Sequence, residues 1–113
     1  MQHKASEVTT EWLARERLSV GALTIVYGDA THTEVVRMLR GVGHPIEVLA
    51  QTTATIVRDA REDQGEVPGE VVVPVAMETL TMLWEIVEAW DIFDCDLSVL
   101  IAAARRVREK LLN

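Results

Sequence analysis

Three histidines, one cysteine and a short run of aspartates are the residues of this chain that could do chemistry, and their spacing decides whether they do. His3, His32 and His44 stand far apart, and none has a second His or a Cys at helical or hairpin distance. Metal ligation needs such convergence, so the sequence predicts no metal site. His32 falls in a helix start and His44 precedes a proline, which gives both a structural or surface role. Cys95 lies between Asp94 and Asp96. Adjacent carboxylates raise a thiol's pKa, and it is the thiolate that attacks, although a helix N-terminus would push the other way. Cys95 therefore reads as a small packing residue. Asp91, Asp94 and Asp96 resemble part of a calcium loop but lack its turn glycine and closing glutamate. Gly41-Val42-Gly43 has neither the flanking strand nor the lysine of a phosphate loop, and no serine sits in a nucleophile elbow. The expectation is a non-enzyme with no catalytic residue and no cofactor.

Charge says more about partners. The 113 residues carry a net charge of −7, unevenly spread. Met1 to Arg61 holds seven acids and seven bases; Glu62 to Ala104 holds ten acids and no Lys or Arg; the last nine residues hold Arg105, Arg106, Arg108 and Lys110 against Glu109. A broad acidic face repels phosphates and attracts basic protein surfaces, so direct nucleic-acid binding is disfavoured. The same charge also aids solubility. Apolar residues at 49% and charged ones at 26% suit one globular domain, 1–113. A chain this short gains from dimerisation, and a homodimer is expected. Met1 to Trp12 has no signal-peptide core, and the longest uncharged run, Leu18 to Gly28, is too short to span a bilayer. A lone cysteine fits a cytoplasmic protein with no membrane association.

The elements that position these residues follow from the breakers. A first helix opens near Ser6 and carries Val8, Trp12, Leu13, Glu16 and Val20 as a stripe. Ala22 to Tyr27 either continues it or forms a strand, and periodicity does not decide so short a stretch. Thr31-His32-Thr33-Glu34 matches a capping box for a short helix through Val35, Val36, Leu39 and Val42, ended by Gly41 and Gly43. Pro45 opens a third helix with Ile46, Leu49, Thr53, Ile56 and Ala60 on its seam. Asp59 to Glu70 reads as an exposed loop, and Val71–Val73 as extended because Pro74 disfavours the α region before it. From Pro74 to about Ile92 runs the strongest helix, with Ala76, Leu80, Leu83, Val87 and Trp90 in one stripe and Met77, Trp84 and Ile86 beside it. Asp94 or Asp96 caps a last helix whose Leu97, Leu100, Ile101, Ala104, Val107 and Leu111 face inward and whose basic end complements the helix dipole. The fold class is all-α, about five helices in a compact bundle. A short two-stranded β element, Ala22–Tyr27 with Val71–Val73, is the structural alternative.

Of five aromatic residues three are tryptophans. Trp84 and Trp90 share one helix six positions apart, about 120° around its axis, so they do not enter the same core. Either each packs in its own cleft or one lies in an interface, where tryptophan is enriched as an anchor. An apolar stripe wider than one packing neighbour requires favours a partner-binding surface built from Leu80, Leu83, Trp84, Val87, Trp90 and Phe93.

A small, acidic, helical chain with a Trp-bearing apolar helix resembles the bacterial quorum-sensing anti-activators, over its whole length in size and character. That resemblance implies a protein that binds the ligand-binding domain of a LuxR-type transcription factor, blocks its dimerisation and keeps it off DNA. It carries over the apolar surface Leu80 to Trp90 with its acidic surroundings. The expected function is thus a regulatory domain that sequesters a transcription factor. The alternative is an acidic nucleic-acid mimic, such as a phage-type inhibitor of a DNA-binding protein, motivated by the base-free stretch 62–104. A ligand-binding or catalytic protein would need a deep pocket lined by His32, His44 or Cys95.

Overall fold

A computed structural model describes the backbone of residues 2–65 and 67–112, and the side chains of residues 10–65 and 67–112. His3 and Val8 lie outside the described side chains. Five helices follow in chain order: α1 Gln2–Tyr27, α2 His32–Leu39, α3 Pro45–Gln64, α4 Gly69–Trp90 and α5 Leu97–Leu112. The described residues contain no strand, and none of their helices is long and apolar enough to cross a membrane.

The all-α class holds, while the β element does not form. Ala22–Tyr27 is the C-terminal part of α1, and Val71–Val73 belongs to the start of α4. Burial overrides β propensity in both places. Leu18, Ala22 and Val26 recur every four residues and are fully buried, as only a helix allows. Val71, Val72, Val75 and Ala76 likewise enter the core on one side of α4. Pro74 stands inside that helix, and its missing N–H frees only the carbonyl of the exposed residue Glu70. The valines gain more from burial than the helix loses at the proline.

The expected loop Asp59–Glu70 is mostly helix, because Ala60 is buried where α3 crosses α1. A Cβ built on Gly21 would stand 3.3 Å from the Ala60 Cβ, so the small residues bring the two helices close. The capping box is absent: Thr31 makes no side-chain cap to α2, and Glu34 pairs with Arg37 instead. Pro45 does stand in the first turn of α3, whose cap is the His44 ring, with Nδ1 accepting from the Ile46 amide at 3.2 Å. Asp96 rather than Asp94 caps α5, its Oδ1 accepting from Val99 N at 3.0 Å and Ser98 Oγ at 2.6 Å. These bonds hold the Asp96 carboxyl below its ordinary pKa. The inward face of α5 is rotated from the expected one. Ala103 and Val107 are buried, with Leu100, Ala104 and Leu111 half-buried beside them, while Leu97 and Ile101 face out.

α3 lies at the centre, packed by α1, α2, α4 and α5, and α4 touches α1, α3 and α5. Leu18, Leu49, Ile56, Val57, Val75, Leu83, Val87 and Val107 form the shared core. Two of its buried threonines bond within their helices, Thr53 to the Leu49 carbonyl and Thr79 to that of Val75, both at 2.8 Å. Exposed ion pairs tie helices together at the rim: Arg15 with Glu78, and Arg106 and Lys110 with Glu47.

Candidate protein-binding surface

The six residues expected to meet a partner do not form one surface. Leu80, Leu83 and Val87 are buried in the core, at 2%, 0% and 0% exposure. The apolar stripe of α4 is wide because three helices of the same chain share it, and of its residues Trp90, at the end, is the one left exposed. Trp84 is half-buried, and its indole Nε1 donates to the Cys95 carbonyl at 3.1 Å, which fastens the α4–α5 connection to α4. Phe93 is half-buried against the core. Trp90 alone of the six stands out, 54% exposed at the last turn of α4.

The way the chain folds around Trp90 can be traced from backbone groups. The last carbonyls of α1 have no partner within their helix and need one. Gly28 N donates to Thr24 O at 2.7 Å, Thr31 Oγ1 to Ile25 O at 2.6 Å, and His32 Nδ1 lies 2.7 Å from Val26 O. A carbonyl only accepts, so Nδ1 carries the proton of that bond. α2 is thereby pinned against the end of α1, and the imidazole is held in place by that bond. On one side it stacks on Tyr27, with ring centres 6.2 Å apart; on the other it meets Trp90 at 6.5 Å. The Trp90 end is fixed by Asp91 in the left-handed conformation (φ 50°), after which Ile92 N bonds back to Val87 O at 3.1 Å.

Arg40, just past α2, lays its guanidinium 5.7 Å from the centre of the Trp90 ring. Between α2 and Trp90 runs a groove of about 380 Å³ lined by His32, Thr33, Val36, Arg37, Arg40 and Trp90. The Arg37 guanidinium pairs with Glu34, which keeps that carboxyl below its usual range. Tyr27 is pushed above its ordinary pKa by partial burial and by the charge of Glu85, so it stays a neutral phenol near pH 7. The surface therefore joins three aromatic rings to two guanidinium groups, the side-chain types that dominate interface energetics. Glu88 and Asp91 flank Trp90 in sequence and are exposed.

A second apolar surface covers the outside of α1. Trp12, Leu13, Val20, Leu23 and Tyr27 are 41–57% exposed, and they fall about 120–220° around the helix from buried Leu18. α1 is thus apolar on two opposite faces. The expected stripe through Trp12, Leu13 and Val20 exists, but it points outward, and the inward one is Leu18, Ala22 and Val26. Leu23, Tyr27, His32 and Arg40 were not among the expected contacts. The spacing of Leu13, Val20 and Tyr27 at intervals of seven was the available signal for the outer face. The contribution of His32 and Arg40 comes from tertiary packing alone.

Of the groups that could do chemistry, His32 lies in the Trp90 surface, while Cys95 and His44 stand apart from it. Among the described residues no group of three or more His, Cys, Asp and Glu could hold a metal ion. Cys95 is buried, and that burial, with Glu88 and Asp96 nearby, pushes its thiol above the ordinary value. Among the described residues, a cleft of about 620 Å³ between α1 and the α3–α4 connection has Arg17 as its one charged lining residue. His44 stands at a separate open groove near Val42 and Glu47. No family model, no curated protein and no solved structure matches the chain.

Proposed function

We propose that this chain is a regulatory protein-binding domain that sequesters a transcription factor in the cytoplasm, with Trp90 as the anchor of its interface. The observation that carries the reading is the exposed cluster of Tyr27, His32, Trp90 and Arg40 around a groove. An exposed Trp with a guanidinium stacked on it is a preformed hot spot, since little side-chain freedom remains to be lost on binding. Arg37 and Arg40 line the groove itself, Glu88 and Asp91 supply carboxylates at its rim, and the acid-rich stretch 62–104 beyond it favours a partner with a basic face. DNA-binding proteins carry such faces, which is why a transcription factor is the partner class put forward. The action proposed is that of the quorum-sensing anti-activators that the chain resembles: occupation of a LuxR-type receptor so that it neither dimerises nor holds DNA.

The test is affinity capture from native lysate with the wild-type chain and with Trp90→Glu, at moderate and at high salt. A transcription factor recovered by the wild type at both salt concentrations, and lost with Trp90→Glu, is expected. Equal recovery by both proteins would remove Trp90 from the interface. The second reading, a nucleic-acid mimic, is favoured by the ten acids in 62–104. It calls for partners that leave steeply as salt rises and do not depend on Trp90.

A further inference from the structure

The outer face of α1 is exposed at Trp12, Leu13, Val20 and Leu23, with Tyr27 stacked on His32 at its end, and its pattern is that of a coiled-coil seam. Leu13, Val20 and Tyr27 recur every seven residues, with Glu16 and Leu23 three positions after the first two; these are the a and d positions of a heptad repeat. We infer that this face is a homodimer interface, in which a second copy of the chain packs its own α1 antiparallel against it about a two-fold axis near Val20. Trp90 itself lies on α4 outside the seam, and Tyr27, which stacks on His32 beside it, is the one residue the two surfaces share.

Three observations select a second copy as the occupant. The first is shape, because a heptad face complements another helix bearing the same face, and the partner subunit supplies an identical one of the same length. Trp12 to Tyr27 spans about 22 Å of helix. The second is charge. The chain as a whole is at −7, with its excess of acid in 62–104, whereas residues 10–28 contain Glu11 and Glu16 against Arg15 and Arg17 and are neutral. From Leu18 to Gly28 there is no charged residue at all. Like molecules meet there without the repulsion that the acid-rich stretch 62–104 would bring. The third is area. With aromatic side chains of about 150–250 Å² each, exposures of 41–57% leave on the order of 500 Å² of apolar surface. That is at the upper end for a lone soluble domain, and the stems of Glu16 and Arg17 bring it towards the roughly 800 Å² per partner of a standard interface.

Orientation follows from Glu16. A parallel pair would set Glu16 on the seam beside Glu16 of the partner subunit, and would align the two helix dipoles. Antiparallel packing about Val20 puts Glu16 opposite Thr24 of the partner subunit. It also puts Leu13 opposite Tyr27 of the partner subunit, and Val20 meets Val20 of the partner subunit on the axis.

The experiment is sedimentation equilibrium on the full chain across micromolar concentrations, with Val20→Glu and Trp90→Glu alongside. The wild type and Trp90→Glu are expected at twice the 12.6 kDa of the chain. Val20→Glu is expected at 12.6 kDa with an unchanged helical circular dichroism spectrum, since position 20 is 56% exposed. Two carboxylates forced into one apolar seam should weaken association on the order of 100-fold or more. A wild type that stays at 12.6 kDa, or a Val20→Glu chain that stays dimeric, overturns the inference. Val20→Cys tests the axis: under mild oxidation it should give a covalent dimer, because Cys95 is buried and does not compete. A dimer of this variant that forms no disulfide between its two subunits would overturn the arrangement about Val20.

Discussion

Leu83→Ala is the substitution that separates a core role for the α4 stripe from an interface role most sharply. Leu83 is wholly inaccessible and sits in the cluster that α1, α3 and α5 close over α4. Truncation removes the transfer free energy of the lost carbons and leaves a cavity that the surrounding helices fill only in part. Together these cost about 3–4 kcal/mol. A domain of this size has roughly 5–15 kcal/mol in hand, so the change takes a large share of it. The melting temperature should fall by about 10–15 °C. Trp90→Ala is the control. It deletes a larger side chain that is 54% exposed, along with its contact to Arg40, and should cost about 1 kcal/mol. The assay is urea unfolding of both variants and the wild type, followed by far-UV circular dichroism. If Leu83→Ala cost under about 1 kcal/mol, or if Trp90→Ala cost as much as Leu83→Ala, the division between core and surface drawn for α4 would be wrong.

Two further expectations concern titrating groups. The Cys95 thiol, raised by burial and by Glu88 and Asp96, should react with an aromatic disulfide reagent near pH 7 much more slowly than free cysteine. It should reach the free rate in urea, and a free rate without denaturant would place Cys95 at the surface. The Asp96 carboxyl is held low by the Ser98 hydroxyl and Val99 amide. A depressed folded-state pKa gives stability that is present above the unfolded value of about 3.9 and is lost as pH falls through the folded value. Asp96→Ala should therefore be less stable than wild type at neutral pH, and the gap in urea midpoint should narrow below about pH 4. A gap that stays constant down to about pH 2 would deny the charged cap its role.

How much of this was legible beforehand varies by element. The helical class, Pro45 in the first turn of α3, and a cap at Asp94 or Asp96 rest on local rules that the sequence carries. The central position of α3 and the choice of Asp96 come from packing, and so does the direction in which a face points. α1 has two apolar stripes, and the periodicity of Trp12, Leu13 and Val20 is as good as that of Leu18, Ala22 and Val26. Only the position of α3 and α4 decides which is buried. The width of the α4 stripe was a real signal of several neighbours, yet width does not say whether they belong to the same chain. Val71–Val73 before Pro74 read as extended by propensity, and their burial against the core reversed it. The Trp90 site was half legible. The tryptophan stood out by composition, while Arg40 and His32 reach it only because the carbonyls at the end of α1 hold α2 in place.

The most direct measurement of sequestration follows the transcription factor recovered by capture on its own promoter DNA. In a mobility-shift assay, adding the wild-type chain in increasing amounts should free the DNA, and Trp90→Glu should leave the complex intact at the same concentrations. A factor that stays on its DNA when saturated with the wild-type chain, or one released equally by Trp90→Glu, would contradict sequestration through the Trp90 surface.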